Sequence, residues 1–368
     1  MWKRKAVQYQ FASHLEMSPT IFAGQEKKSN FLANANDSPF PVPLFALKNY
    51  MKIDCLEKVG INDSEQWILV RGKSSEAPLI IHVQMGPGFP MIPEANAMEK
   101  NLHLETDYLV AYWDQRACGK SFDKKTDPKT INFSQLTDDI ICCTKYLLGK
   151  YQKKKAVIAG YSQGATLGLM AASKDESIFD RLFLVGLDID IPTANKYAIE
   201  FATSKAAEKN KVTLLKQVID LHKNPVTNAK QFQKRAKLLT NLGGVKVGTS
   251  YNQLLISTIS NMISSKAYRL RDIPKTIKGM EFSQNALLPE FNTLNLFHRI
   301  KSIDVPVHFV QGKQDAVAPY QIAVNYYDYL SAATKTFTAF DNSAHMPHYD
   351  EPQKYSRLLR DTIKDSLG

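Results

Sequence analysis

A chain of 368 residues, 44% hydrophobic and 23% charged, has ordinary globular composition and is long enough for one large domain or one domain with an insertion. No window approaches the apolar run of a membrane span, and the basic start has no apolar stretch behind it, so neither a membrane partner nor a signal peptide is expected. The formal charge of +11 comes without a helix-turn-helix, zinc-ligand spacing or interleaved aromatic and basic residues, so a nucleic-acid partner is not expected either.

Residues 1–50 are polar and broken by prolines, and read as a poorly ordered N-terminal arm. Strands are predicted at 66–72 and at 78–83, the second running into Gln84-Met85-Gly86-Pro87-Gly88. Another at 108–113 leads into Asp114-Gln115-Arg116-Ala117-Cys118-Gly119-Lys120-Ser121. Residues 134–148 read as a helix with Ser134 as its N-cap and Gly149 closing it. An apolar strand at 156–159, a turn, an apolar helix and a strand at 182–186 follow. From about Ile191 to Ile300 helical periods dominate; then come a strand at 305–310, a helix at 319–330, a strand at 336–340 and a closing helix from about 351. Apolar strands alternating with helices predict an α/β fold with a mostly parallel, doubly wound sheet. Its core would be 51–190 and 301–368, with 191–300 inserted as a helical cap. Cys55, Cys118, Cys142 and Cys143 lack metal-ligand spacing and are expected to be free thiols of a cytoplasmic protein, with no metal and no cofactor.

Chemistry concentrates at Gly160-Tyr161-Ser162-Gln163-Gly164, a G-x-S-x-G spacing between strand and helix. A serine on so tight a turn sits in a strained backbone conformation, with only small residues tolerated beside it. Its hydroxyl is then presented at the top of the sheet, where the helix N-terminus favours developing negative charge. Such a hydroxyl is a weak nucleophile that needs a base, a group orienting that base, and oxyanion donors. In a doubly wound sheet these belong in loops at the carboxyl ends of strands. Asp315 lies about five residues beyond one such strand and His345 about five beyond the next. The order Ser162, Asp315, His345 is that of a Ser-His-Asp serine hydrolase. Ser162 would attack a carbonyl, His345 would take its proton, and Asp315 would hold the imidazole. Asp341 and His348 are the rivals: Asp341 is better suited to an Asx-type turn, and His348 follows Pro347. The oxyanion donors expected are the backbone N–H groups of Gln163 and Gly86.

Gly86-Pro87-Gly88, Asp114-Gln115-Arg116 with Gly119 and Ser121, the G-x-S-x-G turn and the Asp315 and His345 loops together resemble the prolyl iminopeptidase-like branch of the α/β-hydrolases. The resemblance runs from about residue 60 to the end and implies a helical cap and release of an N-terminal residue, often proline, from small peptides. It departs at Gln84-Met85, where the branch has histidine and glycine, and at Ala117-Cys118. Were the backbone at Met85 glycine-like, the oxyanion hole would be distorted. Asp114 and Arg116 are read as an ion pair bracing the loops.

The resemblance also calls for an acid to hold the substrate's ammonium group, with Glu200 in the cap and Glu94 after the oxyanion turn as candidates. Against this, residues 196–237 carry ten Lys and Arg but three acids, Glu200, Glu208 and Asp220. If that basic surface lines the entrance it would steer anionic substrates; if it faces solvent it says nothing. The expectation is a serine hydrolase acting through an acyl-enzyme on a small-molecule or short-peptide substrate, of aminopeptidase type. A carboxylesterase or lipase-like enzyme and a catalytically silent binding protein of the same fold are the alternatives. An epoxide hydrolase or dehalogenase would need a carboxylate where Ser162 stands.

Overall fold

The computed structural model describes residues 52–210 and 212–364; the arm expected at 1–50 lies outside the described residues. In chain order come β1 (Ile53–Ile61), β2 (Ser64–Gly72), β3 (Leu79–Val83), α1 (Ala95–Leu102), β4 (Leu109–Asp114), α2 (Phe133–Lys150), β5 (Ala156–Tyr161), α3 (Gln163–Lys174) and β6 (Phe179–Val185). Five helices follow: α4 (Ile191–Glu208), α5 (Val212–Lys223), α6 (Ala229–Asn241), α7 (Tyr251–Ser264) and α8 (Asp272–Phe291). The chain then returns to β7 (Ser302–Ile303), β8 (Val307–Gly312), α9 (Tyr320–Tyr329), β9 (Ser331–Ala332), β10 (Lys335–Phe340), α10 (Pro347–Asp350) and α11 (Pro352–Lys364).

The main sheet has the order β1-β2-β4-β3-β5-β6-β8-β10. From β4 to β10 every pairing is parallel, while β1 and β2 add an antiparallel edge. Parallel strands need both faces covered, and β3 shows why its run reads as continuously apolar. Ile81 packs with the helices α2 and α3 on one face, while its neighbour Ile80 joins Met98 of α1 and Leu359 of α11 on the other. The strands β3, β5, β6, β8 and β10 therefore end along one edge, where the loops after them meet.

The helical stretch leaves and re-enters the core at one place. Asp190 and Asn295 form an antiparallel bridge, Ile191 N–H donates to Leu294 O at 3.0 Å and Leu296 N–H to Ile189 O at 2.8 Å. Within it Ala198, Ala202 and Ala206 of α4 pack on Val218 of α5 and on Leu238 and Leu239 of α6. The same cluster includes Ala316, from the loop after β8.

Three local expectations change. The strand β1, flanked by the Asn62-Asp63 turn, was not expected. The helix α2 is capped by Asn132, whose side chain accepts the Gln135 N–H, and Ser134 already lies inside the helix. The ion pair bracing the loops is Arg116 with Asp139, at 2.7 and 2.9 Å, rather than Arg116 with Asp114. Asp114 instead accepts backbone N–H groups of Met91, Ile92 and Lys120 and the Tyr268 hydroxyl.

Candidate active site

Ser162 sits between β5 and α3 with φ 53° and ψ −123°, a backbone strain that helix N-termini rarely carry without cause. The glycines around it are sterically required. A Cβ on Gly164 would lie 2.3 Å from the carbonyl oxygens of Val83 and Gln84, and one on Gly160 would lie 2.6 Å from Ala165 Cα. The turn is thus pressed directly against the loop that follows β3.

That loop brings Gly86 against Gln163, whose side-chain oxygen would meet a Cβ there at 2.0 Å. Among the described residues, neither the Gly86 nor the Gln163 backbone N–H has an acceptor within the protein. Met85 is not among the residues with positive φ, so its side chain imposes no glycine-type strain on this turn. Gln84 donates to Cys118 Sγ at 2.8 Å, tying this loop to the one after β4.

Asp315 and His345 are brought together from the loops after β8 and β10. His345 Nδ1 lies 2.8 Å from Asp315 Oδ2. The other oxygen of Asp315 accepts the Val317 and Ala318 N–H groups, both at 2.8 Å, and Gln311 donates to Oδ2 at 2.9 Å, so the carboxylate is fixed. Burial opposes charge on His345, but the charge and hydrogen bond of Asp315, with the Asp188 carboxylate, hold its pKa above the ordinary value. His345 also packs close to Gly186, at the end of β6. The rivals lie elsewhere: Asp341 is exposed and pairs with Lys313, while His348 is buried against the Tyr161 and Tyr349 rings.

The sequence reading missed Asp188. It lies in the loop after β6, is only 1% exposed, and accepts the Ser162 hydroxyl at Oδ2, 3.0 Å away. Its other oxygen is buried and has no partner among the described residues. Burial raises its pKa to about 6, against the pull of His345 and the Ser162 hydrogen bond. Its position at the carboxyl end of a strand was the available signal. Arg235 of α6 was also missed: it is one of the ten basic residues counted in 196–237, the buried one among those described, and its charge acts on both Asp188 and Asp315.

The two acids expected to hold an amine are placed differently. Glu200 is exposed on α4. Glu94 is buried: Oε2 takes Tyr349 OH at 2.6 Å and Asn261 Nδ2 at 3.0 Å, while Oε1 has no partner among the described residues. Neither contacts Ser162 among the described residues. Those residues also hold no cluster of three side chains suited to a metal ion, and no helix long and apolar enough to cross a membrane.

A family model for the alpha/beta hydrolase fold matches residues 87–352. The chain is 27% identical to the probable aminopeptidase YbaC of Bacillus subtilis over 311 residues, 83% of this chain and 95% of that one. Among solved structures, the proline iminopeptidase of Mycobacterium smegmatis superposes with a TM-score of 0.61 at 15% identity, covering 84% of this chain and 98% of that one. An esterase from Exiguobacterium antarcticum gives 0.57 at 15% identity, covering 85% and 100%. At that identity the two structures speak for the fold alone.

Proposed function

The chain belongs to the α/β-hydrolase fold family, and on that premise we propose that it is a serine hydrolase of aminopeptidase type, releasing an N-terminal residue from small peptides. Ser162 attacks the carbonyl and forms an acyl-enzyme. His345 takes its proton and returns it to the leaving amine, and Asp315 holds the imidazole tautomer and stabilises the imidazolium. The N–H groups of Gly86 and Gln163, neither with an acceptor among the described residues, receive the oxyanion. The five helices between β6 and β7 serve as the cap in this reading, which suits small substrates.

Asp188 is the observation that favours an amine-bearing substrate over a plain ester. An α-ammonium nitrogen is two bonds from the carbonyl carbon that Ser162 attacks, so it comes within about 4 Å of Oγ. A carboxylate that already accepts a hydrogen bond from Oγ is in reach of it, and its second oxygen has no partner. Burial makes the unmatched acid costly, and a cationic group relieves that cost. The likeness to an aminopeptidase supports the same reading. We assign the amine to Asp188 rather than to Glu200 or Glu94 because Asp188 is the one of the three bonded to Ser162 Oγ; Glu94 Oε1 is buried without a partner as well.

The test is turnover of alanyl and prolyl anilides beside acetyl and butyryl esters, in the wild type and in Asp188→Asn. Aminopeptidase action requires anilide turnover by the wild type and a larger loss on anilides than on esters in the variant, by about 10–10²-fold, the size of one charged hydrogen bond. Ester turnover alone would reject it in favour of an esterase.

A further inference from the structure

Arg235 has an environment that its neighbours on the cap do not share. Lys196, Lys209, Lys216, Lys223, Lys230, Lys234 and Lys237 are exposed, whereas Arg235 is only 8% exposed. Its Nε is buried without a partner, and no hydrogen bond or ion pair of its guanidinium is formed among the described residues. A guanidinium cannot shed its proton, so holding its Nε buried without an anion is costly, while the Nη donors stay open to a ligand.

The direction of the side chain follows from the helix it stands on. Leu238 and Leu239 of α6, three and four residues on, pack in one cluster with Ala316 and Val317. Ala316 N–H also donates to Gly244 O at 3.0 Å, just beyond α6. Positions three and four apart share a helix face, so Arg235 stands on the side of α6 that packs on the Asp315 loop, at the border of an open groove between α5 and α6 lined by Lys216, Asp220 and Lys234. The charged groups that act on it are Asp188 and Asp315, and it acts in turn on His345. It lies close enough to those carboxylates for their charges to be felt, yet pairs with neither.

We infer that Arg235 is the anchor for a carboxylate carried by the substrate, on the far side of the scissile bond from the group that meets Asp188. The matching class is a very short peptide with a free C-terminal carboxylate. A dipeptide spans about 7 Å between its ends. The guanidinium fork matches a carboxylate in a bidentate pair, which an exposed lysine does not reproduce. The carboxylate supplies the anion that the buried guanidinium lacks, and places the leaving amine over Ser162. The peptide form of this substrate rests on the aminopeptidase reading; recognition of a carboxylate does not.

The test compares alanyl-alanine with alanyl-alanine amide, and, as ester counterparts, acetyl-lactate with its amide. The wild type is expected to favour the free acid of each pair by about 10–10²-fold in kcat/KM, the scale of a charged hydrogen bond. Arg235→Gln should erase that preference, and Arg235→Lys should keep part of it. Thermal shift supplies a readout without turnover: alanine and propionate should raise the Tm of the wild type more than that of Arg235→Gln. If the peptide pair is inert but the ester pair shows the preference, the aminopeptidase reading fails and the role of Arg235 stands. An equal rate on acid and amide in the wild type, an equal loss on both in Arg235→Gln, or the same Tm rise with and without the arginine would each overturn it.

Discussion

The Ser162 hydroxyl donates to Asp188 Oδ2 at 3.0 Å, across from the loop after β6, while His345 turns its Nδ1 to Asp315 at 2.8 Å. A carboxylate therefore stands where the Ser162 proton points. An ammonium group arriving at Asp188 would take over that carboxylate and leave the hydroxyl to His345. Recognition of the amine and activation of the serine would then be one event.

The charges around His345 give the pH profile a sign. The base must be neutral, so the rate should fall on acidification through a pKa above the ordinary 6.5. Asp188 raises that pKa and Arg235 lowers it. On esters, Asp188→Asn should move the acid limb to lower pH and Arg235→Gln should move it to higher pH. Limbs shifting in the same direction would contradict the placement of these charges.

Asp188 should also cost stability. Its folded pKa of about 6 exceeds the ordinary 3.8, so stability is fully present below pH ~4 and is lost as pH rises through about 6. The difference corresponds to about 3 kcal/mol once the group is ionised. Asp188→Asn should then raise Tm by a few degrees at pH 8 and by much less at pH 4.5, read by calorimetry. That is the usual trade between a strained site and the fold around it.

Gly164→Ala tests the contact between the serine turn and the oxyanion loop. The added methyl meets two carbonyl oxygens at 2.3 Å, and backbone cannot step aside as a side chain can. The loop should be displaced, with a loss of several kcal/mol in stability and about 10²–10³-fold in kcat. Gly149→Ala, with nothing within 4 Å of the added group, is the control that should leave kcat unaltered.

Asp139 accepts from Arg116, Gln66, Asn62 and Gln135 and is fully buried. Asp139→Ala should leave the buried guanidinium unpaired and cost about 3–5 kcal/mol by denaturant titration. Because it only braces the loop after β4, the preference between amine-bearing and plain acyl substrates should not change.

The strands at the centre were legible because burial on both faces writes a continuous apolar run, as in Leu79–Val83. The edge strand β1 was not, because all its residues but Val59 and Ile61 are exposed or half-buried, and its sequence IDCLEKVGI gains strand character only by pairing with β2. The strained turn at Ser162 and the meeting of Asp315 with His345 were readable from spacing, since each follows a strand end that the chain announces. Asp188 follows a strand end too, but a single acid in a loop has no signature until the serine is seen beside it. Arg235 was one of ten basic residues in 196–237, and only the phase of Leu238 and Leu239 marks it as inward.

The most direct measurement of the central claim is reaction of the folded protein with a fluorophosphonate, followed by peptide mapping. Ser162 should carry the label, one per chain, and Ser162→Ala should lose both label and turnover while keeping its Tm. A folded wild type that takes no label, or takes it at another serine, would contradict Ser162 as the nucleophile.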